Sequence, residues 1–200
     1  MHIIRLAFLG MLFFGATSVV HAQLAPPGDQ LQSTYDASEA HPFGRLNPQA
    51  PSGTGQYDFM IGNFECTLSY KAYQNNEWVV VKEGKATWNA RYVMNGQAVL
   101  DEFRDEWGDM NVDVRVYDAD AEVWRIHYTS ANPAQGELFE ARQVQGRMVM
   151  ESERETPGGF KYLERIAFEP LSDRAYRWTK EVVYSATASV ITDEIHCQRR

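Results

Sequence analysis

Glu164 and Lys180 are the two side chains whose types and spacing most invite chemistry. They flank a turn signal at 170–174. Folding the chain back there sets Phe168 against Tyr176, Ile166 against Trp178 and Glu164 against Lys180, all on the apolar parity of their strands. An acid and an amine on that face would project into an interior, where a charge is costly unless it is paired. Such a pair either fixes the polar end of a ligand or moves a proton, with Glu164 as acid or base. Alternatively, both reach solvent at a rim.

The same inward parity carries Trp88, Tyr92, Trp124 and Tyr128, and further along Phe139, Tyr162, Phe168, Tyr176 and Trp178. Aromatics make up 12% of the chain, enough either to line an apolar cavity or to fill it. The expected ligand-contacting set is Trp88, Tyr92, Trp124, Tyr128, Tyr162, Glu164, Trp178 and Lys180.

Other chemistry-bearing residues read as surface. Pairing Val112, Val114 and Val116 inward places Asp113 and Arg115 outward, with His127 opposite Asp113 and Arg125 opposite Arg115. The acidic stretch Asp101, Glu102, Asp105, Glu106, Asp109 does not match a calcium loop, because Gly108 is out of position and no Glu closes it, so it reads as a solvated edge. Asp118, Asp120 and Glu122 follow turn preference. No His-Glu-x-x-His, Cys-x-x-Cys or Gly-x-Ser-x-Gly element occurs, and Gly53 with Gly55 form no phosphate loop. Neither a metal nor a cofactor is expected.

The elements that must position these residues are strands. Phe64, Cys66, Leu68 and Tyr70 alternate with Glu65, Thr67, Ser69 and Lys71, the period of a strand with one buried face. The pattern recurs between turn signals at Asn75 and Asn76, Asn95 and Gly96, 118–121, Gln145 and Gly146, 157–159 and 170–173. That gives about nine or ten strands, with a single turn of helix at 57–61. Many short antiparallel strands suggest a sandwich or a barrel. The cysteines favour closure. Cys66 on the first strand and Cys197 on the last both fall on the inward parity, and a bond between them makes those strands neighbours. Two separate buried thiols are the alternative.

The segment Tyr57-Asp-Phe-Met-Ile-Gly-Asn-Phe-Glu65 resembles the opening of lipocalin-like proteins, with Phe64 in the place of their Trp. Together with Trp88-Asn-Ala-Arg-Tyr-Val-Met-Asn-Gly96, Asp101-Glu-Phe-Arg104 and Val116-Tyr-Asp118 leading to Trp124, it resembles a bacterial family carrying a lipocalin-like domain of unknown function. The resemblance covers about residues 56–198. It implies an all-β fold, a closed antiparallel calycin-type barrel, and supplies no catalytic residues.

Upstream, Arg5 precedes the apolar run 6–14, and Val20-His-Ala22 completes a secretory signal whose cleavage is expected after Ala22. Residues 23–54 hold five of the eight prolines and few large apolar side chains, and read as a flexible or draped leader. The barrel domain is expected over 55–200. The chain carries a net charge of −8 and no basic run, which excludes nucleic acid as the default partner. The expectation is a periplasmic or secreted lipocalin-like protein that binds a small apolar or amphipathic molecule. An isomerase or cyclase on the same scaffold is the alternative, as is an interaction module with a packed interior.

Overall fold

The computed structural model describes residues 33–200; the expected signal segment 1–22 and leader residues 23–32 lie outside the described residues. A 3-10 helix, Ser52–Met60, is followed by ten strands. These are β1 (Gly62–Gln74), β2 (Glu77–Val93), β3 (Ala98–Asp105), β4 (Met110–Asp118), β5 (Val123–Ala131), β6 (Ala134–Val144), β7 (Arg147–Glu155), β8 (Lys161–Ser172), β9 (Ala175–Ser185) and β10 (Ala188–Arg199). Each pairs antiparallel with the next in sequence, and β10 pairs with β1, so the sheet is a closed barrel. Closure leaves no free sheet edge. It is pinned covalently where β1 meets β10: Cys66 and Cys197 are direct cross-strand partners joined by a disulfide.

Local chemistry explains the connections. Asn75 and Asn76 both adopt positive φ, as do Gln145 and Gly146, the backbone that two-residue hairpin turns of the primed type require. The turn after β4 falls where the acidic 118–121 signal places it. The helical turn is longer than its sequence signal, beginning at Ser52 rather than near Tyr57. Tyr57 and Met60 on it are wholly buried and plug one end of the barrel.

Residues 33–51 lie against that plugged end. Asn95, in the β2–β3 turn, accepts from the Thr34 and Tyr35 amides through its Oδ1, and its own amide donates to Asp36. Gly96 sits at φ 74° and its carbonyl accepts from the Asn47 amide.

Two registers differ from the sequence reading. The β8–β9 turn falls at Asp173 and Arg174, the far end of the 170–174 signal, and the pairing shifts by two residues, because Pro170 sits at an irregularity in the ladder, where a missing N–H costs little. Phe168 therefore opposes Trp178, Ile166 opposes Lys180 and Glu164 opposes Val182. The second difference is in β4. Asp113 and Arg115 face inward and are buried, whereas Val112, Val114 and Val116 face outward and are only half-buried. Asp113 opposes Tyr128 and Arg115 opposes Ile126, while exposed His127 opposes Val114. Hydropathy alone selects the valines for the core. A pair of opposite charges overrides it when both find partners inside.

Candidate functional site

The inward residues form layers from the plugged end to the open one. Nearest the plug, Phe64, Trp124, Met148, Phe168 and Tyr176 are buried against Tyr57 and Met60. Trp124 stands edge-on to Tyr57 with ring centroids 4.9 Å apart, and its indole N–H donates to Gln56 at 3.0 Å. Phe64 and Tyr176 make a second edge-to-face contact at 4.9 Å. Such pairs add about 0.5–1.5 kcal/mol beyond burial. This half of the barrel is filled.

Above it lies a charged layer. Arg115, fully buried, donates from Nε to Asp101 Oδ2 at 2.6 Å and from one terminal nitrogen to Asp101 Oδ1 at 3.2 Å and Asp113 Oδ2 at 2.6 Å. Its other terminal nitrogen donates to the Tyr57 hydroxyl at 3.3 Å. The guanidinium also lies 4.9 Å from the ring centroids of both Tyr57 and Phe168. The Trp88 indole N–H completes the set by donating to Asp101 at 2.7 Å. Two carboxylates thus share one guanidinium. Burial opposes the Arg115 charge, but Asp101 and Asp113 outweigh it and hold the group protonated well above its ordinary range. Burial pushes Asp113 up to about 7, with Asp101 adding to the shift and Arg115 opposing it. Burial likewise pushes the Tyr57 hydroxyl to about 12 and raises Tyr176.

The third layer surrounds a cavity of about 440 Å³. Its walls are Trp88, Phe103, Ile126, Phe139, Ile166 and Trp178, with Phe168 from the layer below. Asp113 lines it from the charged layer, and its Oδ1 is buried with no hydrogen-bond partner among the described residues. Asp109, Asn132 and Pro133, in or beside the β3–β4 and β5–β6 turns, also line it, so the cavity reaches the barrel end opposite the plug. Polar side chains ring this mouth. Lys180 is 2.5 Å from Asp193, and Arg154 stands between Glu137 at 2.8 Å and Glu164 at 3.2 Å. Tyr70 at the mouth is raised to about 12, by burial first and then by Asp105, Asp193 and Asp109.

Of the residues singled out from sequence, Trp88, Tyr128, Glu164, Trp178 and Lys180 come together on the cavity. Glu164 and Lys180 do not pair with each other, since the two-residue register difference gives each a separate partner. Trp124 belongs to the packed layer beneath. Tyr92 lies toward the plugged end, where its amide donates to the Phe43 carbonyl and its hydroxyl to Asp58. Tyr162 opposes Arg154 near the mouth and is not among the lining residues. Asp101 is fully buried, which corrects its assignment to a solvated edge; the rest of that stretch is half-buried or exposed apart from Phe103. Asp101, Asp113 and Arg115 are the residues that sequence reasoning missed. Their signal was an acid and a base two apart on one strand, beside Asp101 on the same face of its neighbour.

No protein-family model matches this chain, and no curated protein does. The architecture is a closed ten-stranded antiparallel barrel compatible with a lipocalin-like fold. Among the described residues no helix is long and apolar enough to cross a membrane, and no group of three His, Cys, Asp or Glu side chains could hold a metal ion.

Proposed function

We propose that this barrel takes up a small, partly apolar molecule in its open half, in the periplasm or outside the cell. The observation that carries the reading is the cavity. At about 440 Å³ it falls within the roughly 300–1,000 Å³ span of ligand sites, and it combines apolar walls with a few convergent polar groups. The plug, the charged layer and the disulfide hold those walls in place, so binding would cost little reorganisation. The Cys66–Cys197 bond suits an oxidising compartment and agrees with the export signal read from residues 1–22.

An isomerase or cyclase using Glu164 draws less support, because Arg154 already holds that carboxylate. The test is titration with a neutral fluorescent probe, N-phenylnaphthylamine, alongside an Ile166→Trp variant that narrows the cavity. Saturable binding by the wild type and clearly weaker binding by the variant is the expected result. Equal probe uptake by both proteins, or none by either, would discard the reading.

A further inference from the structure

We infer that the cavity selects molecules whose polar end donates hydrogen bonds, above all organic ammonium ions, and disfavours carboxylates. This rests on the reading that the cavity binds a small molecule, and it assigns that molecule a chemical class.

The first observation is Asp113. It is only 7% exposed, Arg115 occupies its Oδ2, and its Oδ1 is unpartnered among the described residues while the side chain lines the cavity. A buried acceptor without a partner is a standing cost, which a donor on a ligand removes once the carboxylate turns that oxygen toward the cavity. If the donor is charged, the bond is of the stronger, charge-assisted kind.

The second observation is that, among the described lining residues, no cation is free to receive an anion; Lys82 at the rim is not a lining residue and lies over the Trp107 ring. Arg115 spends four of its five N–H donors on Asp101, Asp113 and Tyr57, and it packs against two aromatic rings. At the mouth, Lys180 is held by Asp193 and Arg154 by Glu137 and Glu164. A ligand carboxylate would have to break one of these pairs and strand its acid.

The third observation is the balance of the lining. Asp109, Asp113, Glu137, Glu164 and Asp193 face only Arg154 and Lys180 among the described lining residues. The rings of Trp88, Phe103, Phe139 and Trp178 also line the cavity, and an aromatic face attracts a cation and repels an anion. The ammonium head sits at Asp113 and the apolar body lies along Phe139, Ile166 and Trp178.

Decylamine, decanol and decanoate share one tail and differ in the head, so they isolate the head-group preference. Each is titrated at about pH 8, where Asp113 is mostly ionised, and read by tryptophan fluorescence, since Trp88 and Trp178 line the cavity. The expected order is decylamine, decanol, decanoate, with decylamine at least about tenfold tighter than decanoate. Asp113→Asn should weaken decylamine about tenfold while leaving decanol nearly unchanged. Ile166→Trp narrows the cavity, so it separates cavity binding from adsorption to the acidic exterior and should clearly weaken decylamine binding. Decanoate binding as tightly as decylamine to the wild type would overturn the inference while leaving the cavity reading intact, and this comparison does not depend on a variant that folds. An unchanged amine preference in Asp113→Asn, or decylamine bound with unchanged affinity by Ile166→Trp, would overturn it too. Failure of all three probes on the wild type would overturn the cavity reading and this inference together.

Discussion

Asp101 and Asp113 are direct cross-strand partners on β3 and β4, and both side chains are buried inside the barrel. Like charges placed directly opposite each other destabilise a sheet. Here Arg115, two residues along β4 from Asp113, reaches both carboxylates at 2.6 Å. The cluster holds one positive and two negative groups when fully ionised, so it keeps an excess negative charge beside the cavity.

Removing the guanidinium should therefore be the most damaging single change in the interior. Arg115→Met leaves two buried carboxylates facing each other, and a loss of about 3–5 kcal/mol is expected at neutral pH, measured by urea unfolding. Replacing Asp101 and Asp113 by Asn as well should recover most of that loss, since neutral groups need no counter-charge.

Asp113 also sets a pH dependence. Its facing groups are Arg115 on its own strand, Asp101 from β3 and Tyr128 from β5. Folding raises its pKa from the ordinary 3.8 to about 7. Across that window the folded state binds the proton and the unfolded chain does not, so stability falls as pH rises from about 4 to about 7. Asp113→Asn should flatten this segment of the stability–pH curve. An identical slope in the variant would remove Asp113 as its source.

The disulfide closes a long loop. With a sequence separation of 131, the chain-entropy model assigns it about 5 kcal/mol. Unfolding of a Cys66→Ser, Cys197→Ser double variant should begin at much lower urea. Because the bond ties the first strand to the last, the loss should appear as a shifted midpoint in a single cooperative transition.

Gly96 is the residue through which the β2–β3 turn meets the segment before the helix. A Cβ there would lie 2.3 Å from the Arg45 carbonyl oxygen, on backbone at φ 74°. Gly96→Ala should cost more than about 1 kcal/mol and speed proteolysis within 33–51, whose hydrogen bonds converge on this turn. Gly53 gives a parallel test inside the plug. Its ideal Cβ falls 2.1 Å from the Tyr117 ring, so Gly53→Ala should displace Tyr117 from Trp124, against which it packs at 5.6 Å.

Much of the fold was legible in the chain. Alternation in β1, the Asn75-Asn76 and Gln145-Gly146 turns, and the inward parity of Cys66 and Cys197 follow from rules acting between neighbours, and the disulfide converts them into closure. The rings of Trp88, Tyr128 and Trp178 were placed on the cavity by the same rule. What only the tertiary structure decided lies where distant partners outweigh local preference. Asp113 and Arg115 turn inward because Asp101, Tyr57 and Phe168, brought from three other elements, compensate their burial, so the alternating Val112, Val114 and Val116 face outward. The ladder runs two residues past the Pro170 turn signal, and Glu164 and Lys180 consequently meet Arg154 and Asp193 instead of each other. Hydropathy is a property of one side chain, whereas the cost of burying a charge is a property of the set of groups that surround it.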